Sequence, residues 1–156
     1  MPSEITLTPV ATVVGGRVEA TDDDWAGVEA DIVLDARFPT DALRGLDAFS
    51  HLDVVYVFHR VADASIVTGA RHPRGREDWP LVGIFAQRAK ARPNRIGVST
   101  CRILGVSGRT IHVAGLDAID GTPVLDLKPY MKEMGPRGAV IEPSWVTELM
   151  AHYWTG

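Results

Sequence analysis

Apolar and polar positions along this chain alternate in short runs far more often than they recur at helical spacing, which predicts mostly strands. Ile5 to Val14 is β-branched and partly alternating. Gly15-Gly16 is a turn signal, and Arg17-Val18-Glu19 continues extended. Asp22-Asp23-Asp24 reads as an acidic turn, and Asp31 to Asp35 encloses a short Ile-Val-Leu strand. Thr40 is placed to cap a short helix from Asp41 to Leu46, ended near Gly45. Leu52 to Val61 is nearly continuous in apolar residues, the pattern of a strand buried on both faces. After a long loop from Asp63 to Pro80, short strands are predicted at Leu81 to Phe85, Gly97 to Leu104, Thr110 to Ala114 and Val124 to Leu127. Between them lie a loop from Gln87 to Asn94 and turns at Gly105 to Gly108 and Gly121-Thr122-Pro123. A loop from Met131 to Gly138 leads to a C-terminal helix, capped by Ser144, running through Ala151 with Glu148 in its first turn. Trp145, Leu149 and Tyr153 share one face of that helix, which suits core packing or a dimer contact.

Seven or so strands with few helices point to an all-β sandwich or barrel. The 156 residues suit one domain able to bury a sizeable core. The two long loops, Asp63 to Pro80 and Met131 to Gly138, are expected to be functional. There is no apolar run of 18 residues, so no membrane span is expected. Met1-Pro2-Ser3-Glu4 lacks the basic and apolar regions of a secretory signal. Cys101 is the only cysteine, which excludes an internal disulfide and a cysteine-based zinc cage and fits a reducing cytoplasm.

Charge changes this picture locally. The net charge of −4 argues against a generic nucleic-acid binder. From Arg71 to Arg95, however, seven basic residues face only Glu77 and Asp78, a local +5 that leaves −9 for the rest. Such a segment either attracts an anion or is a solvated loop. The phosphate-binding and dinucleotide-binding glycine motifs are absent, as is the G-x-S-x-G nucleophile elbow. His51 and His59, read on one strand, would lie about 26 Å apart, too far to share a metal. No metal site is expected.

The remaining chemistry lies in two loops. In Gln87 to Gly97, Pro93 stiffens a basic loop and Gly97 permits close backbone approach. Arg88 and Arg92 suit bidentate contact with a carboxylate or phosphate. In Gly115 to Val124, Asp117 and Asp120 either close Asx-turns or accept from a ribose hydroxyl or an amine.

These loops carry a resemblance. Val82-Gly83-Ile84-Phe85-Ala86-Gln87-Arg88, Arg92-Pro93-Asn94 with Ile96-Gly97-Val98-Ser99, and Leu116-Asp117 with Asp120 through Tyr130 resemble the TsaA/TrmO family. Phe49-Ser50-His51-Leu52 and Phe58-His59 resemble its upstream strand. The clear motifs cover about half the chain, centred on residues 49–130. The resemblance implies one TsaA-like domain over residues 1–156, a small β-barrel with a few short helices and no Rossmann fold. It implies a cytoplasmic methyltransferase that uses S-adenosylmethionine and acts as a homodimer, with the cofactor near the interface. The implied partner is tRNA, not DNA, and the implied reaction is N-methylation of threonylcarbamoyl-adenosine beside the anticodon. By position, the cofactor would touch His59, Arg60, Arg88, Val98, Leu116, Asp117, Ala118 and Ile119. On the residues alone, Val98 and Leu116 could equally be core and His59 a strand-end histidine; no catalytic base is assigned.

The sequence departs from the family pattern at three places. Gln87-Arg88-Ala89-Lys90 replaces the usual Thr-Arg-Ser-Pro, Arg95 replaces a second proline, and Asp22-Asp23-Asp24-Trp25 stands where a Pro-Arg-Gln stretch is usual. A methyltransferase of the same fold acting on a small metabolite, and a non-catalytic module binding a nucleotide-like ligand, stay open beside the tRNA reading.

Overall fold

Alternation becomes strand where both faces have somewhere to go. In the computed structural model, which describes residues 3–155, the strands are β1 (Ala11–Val14), β2 (Glu29–Leu34), β3 (His51–Val57), β4 (Ala70–Arg71), β5 (Val82–Gly83), β6 (Ile96–Ser107), β7 (Thr110–Ala114) and β8 (Pro123–Pro129). Met1 and Pro2, part of the stretch read for a secretory signal, lie outside the described residues. Six strands close into an antiparallel barrel in the order β1-β2-β7-β6-β3-β8, with β8 returning to β1. Closure removes unpaired strand edges. β4 and β5 form a separate two-stranded ribbon. One short helix, α1 (Ser144–Met150), follows the barrel.

The barrel interior holds alternate residues of each strand, including Val13, Ile32, Leu52, Val54, Ile111, Val113 and Val124, all fully buried. The fit between β3 and β6 follows from size. Leu52, Val54 and Tyr56 lie opposite Cys101, Ser99 and Gly97, so large inward residues on one strand face small ones on the other. Large-against-small layering fills a narrow barrel without voids. Burial, reinforced by repulsion from Asp117 and Asp53, pushes the Cys101 thiol up to about 12, so this cysteine is a packing residue and not a nucleophile.

Several sequence expectations are corrected. Of Ile5 to Val14 only Ala11–Val14 is strand; Ile5 and Leu7 are exposed and unpaired with the sheet. Arg17-Val18-Glu19 forms no strand. The apolar run after Leu52 is buried on one face only and ends at Val57, because the outer face of a barrel strand meets loops and solvent. His59 therefore lies in a turn and not on the strand of His51. The helix expected from Asp41 to Leu46 is two 3₁₀ turns, Thr40–Leu43 and Leu46–Ala48, separated by Gly45. Pro143, not Ser144, precedes the first turn of α1, no side chain caps it, and Glu148 lies beyond that turn.

The antiparallel registers decide where the loops emerge. β1, β3 and β7 end, and β2, β6 and β8 begin, at the same end of the barrel. The connections 15–28, 58–95 and 115–122 therefore all lie at that end, and they carry nearly every residue singled out above.

Candidate functional site

The site begins with a glycine. A Cβ at Gly97 would stand 2.8 Å from Tyr56 and Phe58 ring atoms, so the two rings occupy the space a side chain would need. They pack edge to face, 5.4 Å between centroids. The close approach expected at Gly97 is thus made by the protein's own aromatics. Held there, the Tyr56 hydroxyl donates to Asp117 Oδ1 at 3.0 Å and lies 3.2 Å from the Asp117 carbonyl oxygen. Asp117 Oδ2 accepts a second hydroxyl, from Tyr153 beyond α1.

Both phenols are pushed well above their ordinary value, first by burial and then by the negative charge of Asp117. They stay protonated and act as donors. The positive charge of Arg88 works in the opposite direction at both hydroxyls, so its guanidinium lies within electrostatic reach of them. Around Asp117, Leu116, Ala118 and Ile119 are all buried. Only the Asp117 side chain of this segment is partly open, and the other three could meet a ligand through main chain alone.

Arg88 is exposed, and its Nη2 donates to the Val98 carbonyl at 2.7 Å, which joins the basic loop to β6. Val98 is 46% exposed and points out of the barrel beside Val55, so it is not core. Leu116 is core, at 1% exposure. His59 is exposed, and its Nε2 lies 3.6 Å from where a Gly121 Cβ would stand, which brings the turn after β3 against the turn before β8. Arg60 donates to the Val18 carbonyl at 3.2 Å. Asp120 is a structural residue: its Oδ1 accepts from the Gly15 amide at 2.7 Å and its own amide donates to the Arg17 carbonyl. The side-chain bonds of both aspartates reach distant elements, Asp120 to Gly15 and Asp117 to Tyr56 and Tyr153, and neither set is an Asx-turn.

The basic segment divides on inspection. Arg74 pairs with Asp23, Arg76 with Asp78, and Arg95 with Asp63. Among the described residues, Arg71, Arg88, Lys90 and Arg92 have no carboxylate partner. Arg92 instead donates to the Gln87 carbonyl at 2.6 Å. No group of three or more histidine, cysteine or acidic residues suited to a metal occurs among the described residues.

The departures from the family pattern form local structures of their own. Gln87 is buried, accepts from Arg71 and donates to the Arg71 and Val82 carbonyls, tying the β4–β5 ribbon to the basic loop. Arg95 adopts φ +51°, which a proline cannot reach, and its side chain donates to the Val61 carbonyl at 2.6 Å. It thereby anchors the turn that carries His59 and Arg60. Asp22 and Asp23 hold Arg74, and the Asp24 amide donates to the His152 carbonyl.

Sequence reasoning did not find Tyr56 or Tyr153 as site residues. Tyr56 was hidden in an apolar run, and Tyr153 at a helical spacing that suits core packing. The one available signal was a tyrosine in an otherwise aliphatic strand, since a buried phenol needs a partner.

The geometry agrees with the comparisons to known proteins. The sequence model of the tRNA-methyltransferase O N-terminal domain matches residues 22–135. A human protein named tRNA (adenine(37)-N6)-methyltransferase is 38% identical over 105 residues, covering 67% of this chain and 23% of that protein. A Methanothermobacter thermautotrophicus protein named "Probable S-adenosyl-L-methionine-binding protein" is 40% identical over 98 residues, covering 63% of this chain and 67% of its own length. The crystal structure of TrmO from Pseudomonas aeruginosa superposes with a TM-score of 0.72 at 26% identity, over 89% of this chain and 61% of that one. The match thus spans under a quarter of the human relative. With a six-stranded barrel and a domain model matched over most of its length, the chain belongs to the tRNA-methyltransferase O N-terminal domain family.

Proposed function

We propose that this chain is an S-adenosylmethionine-dependent tRNA methyltransferase acting on N6 of adenine 37, with the threonylcarbamoyl-modified adenosine as the methyl acceptor. The observation that carries the reading is the convergence of Arg88, Val98 and Asp117 where three long connections meet at one barrel end. That donor set fits the cofactor. Arg88 offers a planar cation for the amino-acid carboxylate, and Asp117 and His59 offer polar contacts for hydroxyls or an amine. Val98 offers an exposed apolar contact for a base. His59, Arg60 and the main chain of Leu116 to Ile119 complete the proposed contacts. When bound, S-adenosylmethionine supplies a methyl group already activated for transfer. The protein's work is to orient donor and acceptor and to exclude water. Asp117, with each oxygen engaged by a hydroxyl, is held in place to orient groups.

With Arg88 given to the cofactor, Arg71, Lys90 and Arg92 are the cations of this segment left for tRNA phosphates in this reading. The chain acts in the same proposal as a single domain, in the cytoplasm, and as a homodimer. The dimer finds support in Ile96 and Val98, both at least 40% exposed on the outer face of β6 beside Val55 and Val57. A monomer by light scattering at micromolar concentration would remove the dimer from the proposal.

The deciding experiment is nucleoside mass spectrometry of tRNA from a strain lacking this gene. Loss of the N6-methylated, threonylcarbamoylated adenosine, restored by the gene, is expected. An unchanged nucleoside profile, together with calorimetric binding of S-adenosylmethionine, would move the acceptor to a small metabolite. No cofactor binding would sink the enzyme reading. Affinity for tRNA should fall steeply with salt, as phosphate contacts require.

A further inference from the structure

The segment after residue 143 lies outside the residues matched by the family model, yet it is fastened to three loops around the site. The buried Trp79 indole donates to Glu148 of α1 at 2.7 Å. The Asp24 and Trp25 amides donate to the His152 and Tyr153 carbonyls at 3.0 and 2.9 Å. The Thr155 hydroxyl donates to Asp24 at 3.0 Å. These bonds fix the backbone on both sides of Tyr153, and its ring meets Trp154 edge to face at 4.9 Å between centroids. The hydroxyl then reaches Asp117, 36 residues earlier in the chain.

We infer that Tyr153 is a positioning residue for the cofactor site, its hydroxyl setting the orientation of the Asp117 carboxylate against Tyr56 and Arg88. This rests on the proposed reading of Asp117 as a cofactor contact. A carboxylate on a loop without regular structure has a free rotation about its terminal bond. Tyr56 alone fixes one oxygen, and a second hydroxyl on the other oxygen removes that freedom. Two donors from distant elements therefore present Asp117 in one pose before a ligand arrives, which lowers the ordering cost of binding. Burial keeps the Tyr153 phenol protonated, so the donor is constant across the working pH range.

The test is calorimetric binding of S-adenosylmethionine to the full chain, beside thermal unfolding. Tyr153→Phe removes only the hydroxyl and keeps the ring. It should weaken binding about tenfold, the scale of one hydrogen bond to a charged group, with the unfolding transition retained. Glu148→Gln loosens the strap from α1 to Thr155 at its other attachment without touching Asp117, and should change the affinity less than about twofold by this argument. Equal binding by wild type and Tyr153→Phe overturns the inference while leaving the cofactor reading in place. A loss as large in Glu148→Gln as in Tyr153→Phe overturns it too, since docking of the strap and not the hydroxyl would then matter. Loss of the folding transition in Tyr153→Phe makes the residue structural and overturns it. Absence of binding by the wild type overturns the cofactor reading, and the inference with it.

Discussion

The two ends of the barrel are built from the same strands and serve different ends. At one, the connection 35–50 and the short turn at 108–109 close over the core, with Phe38, Leu43 and Leu46 packed against it. Leu43 is buried there, and a cavity of about 270 Å³ is lined by Leu43, Leu46, Phe49, Leu52, Leu127 and Pro129, among others. At the other, the connections 58–95 and 115–122 deliver Arg88, His59 and Asp117, and the segment after α1 brings Tyr153 to them. Arginines bound to main-chain carbonyls occur at both ends: Arg109 holds the Asp35 and Phe38 carbonyls, much as Arg95 holds that of Val61. An arginine satisfied by backbone is therefore not a sign of function in this fold. The distinguishing feature is a half-buried carboxylate gripped by two tyrosines beside a charged guanidinium. Among the described residues, only the site end has one.

The contrast breaks most completely where the wall itself fails. Leu52→Ala removes a fully buried side chain that faces Cys101 and should cost about 2–5 kcal/mol, read as a lower urea midpoint. Both ends should suffer together. If the midpoint barely moves, the β3–β6 face is not the core that its packing implies.

Gly97→Ala tests the join between wall and site. The added methyl would sit against Tyr56 and Phe58, so both rings must shift. Overpacking of this kind costs about 1–3 kcal/mol, and it displaces the hydroxyl that holds Asp117. Stability and S-adenosylmethionine affinity should fall together. A stability loss with affinity intact would separate Tyr56 from the site.

Arg88→Ala reverses the pattern. An exposed side chain with one main-chain bond should change stability by no more than about 0.5 kcal/mol. Its loss should weaken cofactor binding about tenfold or more, the scale of a charge-assisted hydrogen bond to a carboxylate. Unfolding of the variant would reassign Arg88 to structure.

These three positions also mark what could be read from sequence. Leu52 was legible as part of a buried strand from the apolar run that begins there, but that run was read as buried on both faces, and which face turns inward appears only in the closed barrel. Arg88 was legible as a loop cation in a motif. The role of Gly97 was legible as a need for space, but not which group fills it, since Tyr56 and Phe58 reach it only once β3 and β6 are in register. Tyr153 was illegible as a site residue for a related reason. Its helical spacing describes α1, whereas its hydrogen bond depends on how the strap lies across loops near residues 24 and 117. The Ile5 to Val10 run misled because β-branched alternation is necessary for a strand but not sufficient. In the barrel, the ladder of β1 starts at Ala11, Val10 adds single main-chain bonds to Val124 and Asp35, and Pro9 before it has no amide to donate.

The smallest effect is expected on the outer wall, where His112 of β7 lies directly opposite Asp31 of β2. Its Nδ1 is 2.6 Å from Asp31 Oδ1, and its Nε2 is 3.5 Å from Glu29. The hydrogen bond to Asp31 raises the His112 pKa most, with the charges of Asp31 and Glu29 adding to it and desolvation opposing. The protonated imidazole is thus favoured by the folded state. Its contribution is fully present below the unfolded value, about 6.5, and is lost as pH rises through the higher folded value. The melting temperature of the wild type should exceed that of His112→Asn at about pH 6, and the gap should narrow by about pH 8.5. Because the group is half exposed, added salt should shrink the gap as well. Cofactor affinity should be the same in both proteins at either pH, since the pair lies on the wall and not among the site loops. A gap that does not change with pH would mean that packing of the imidazole, and not its charge, is what the wall uses. A pH-dependent change in affinity would mean that wall and site are electrostatically coupled, and the division between them would have to be redrawn.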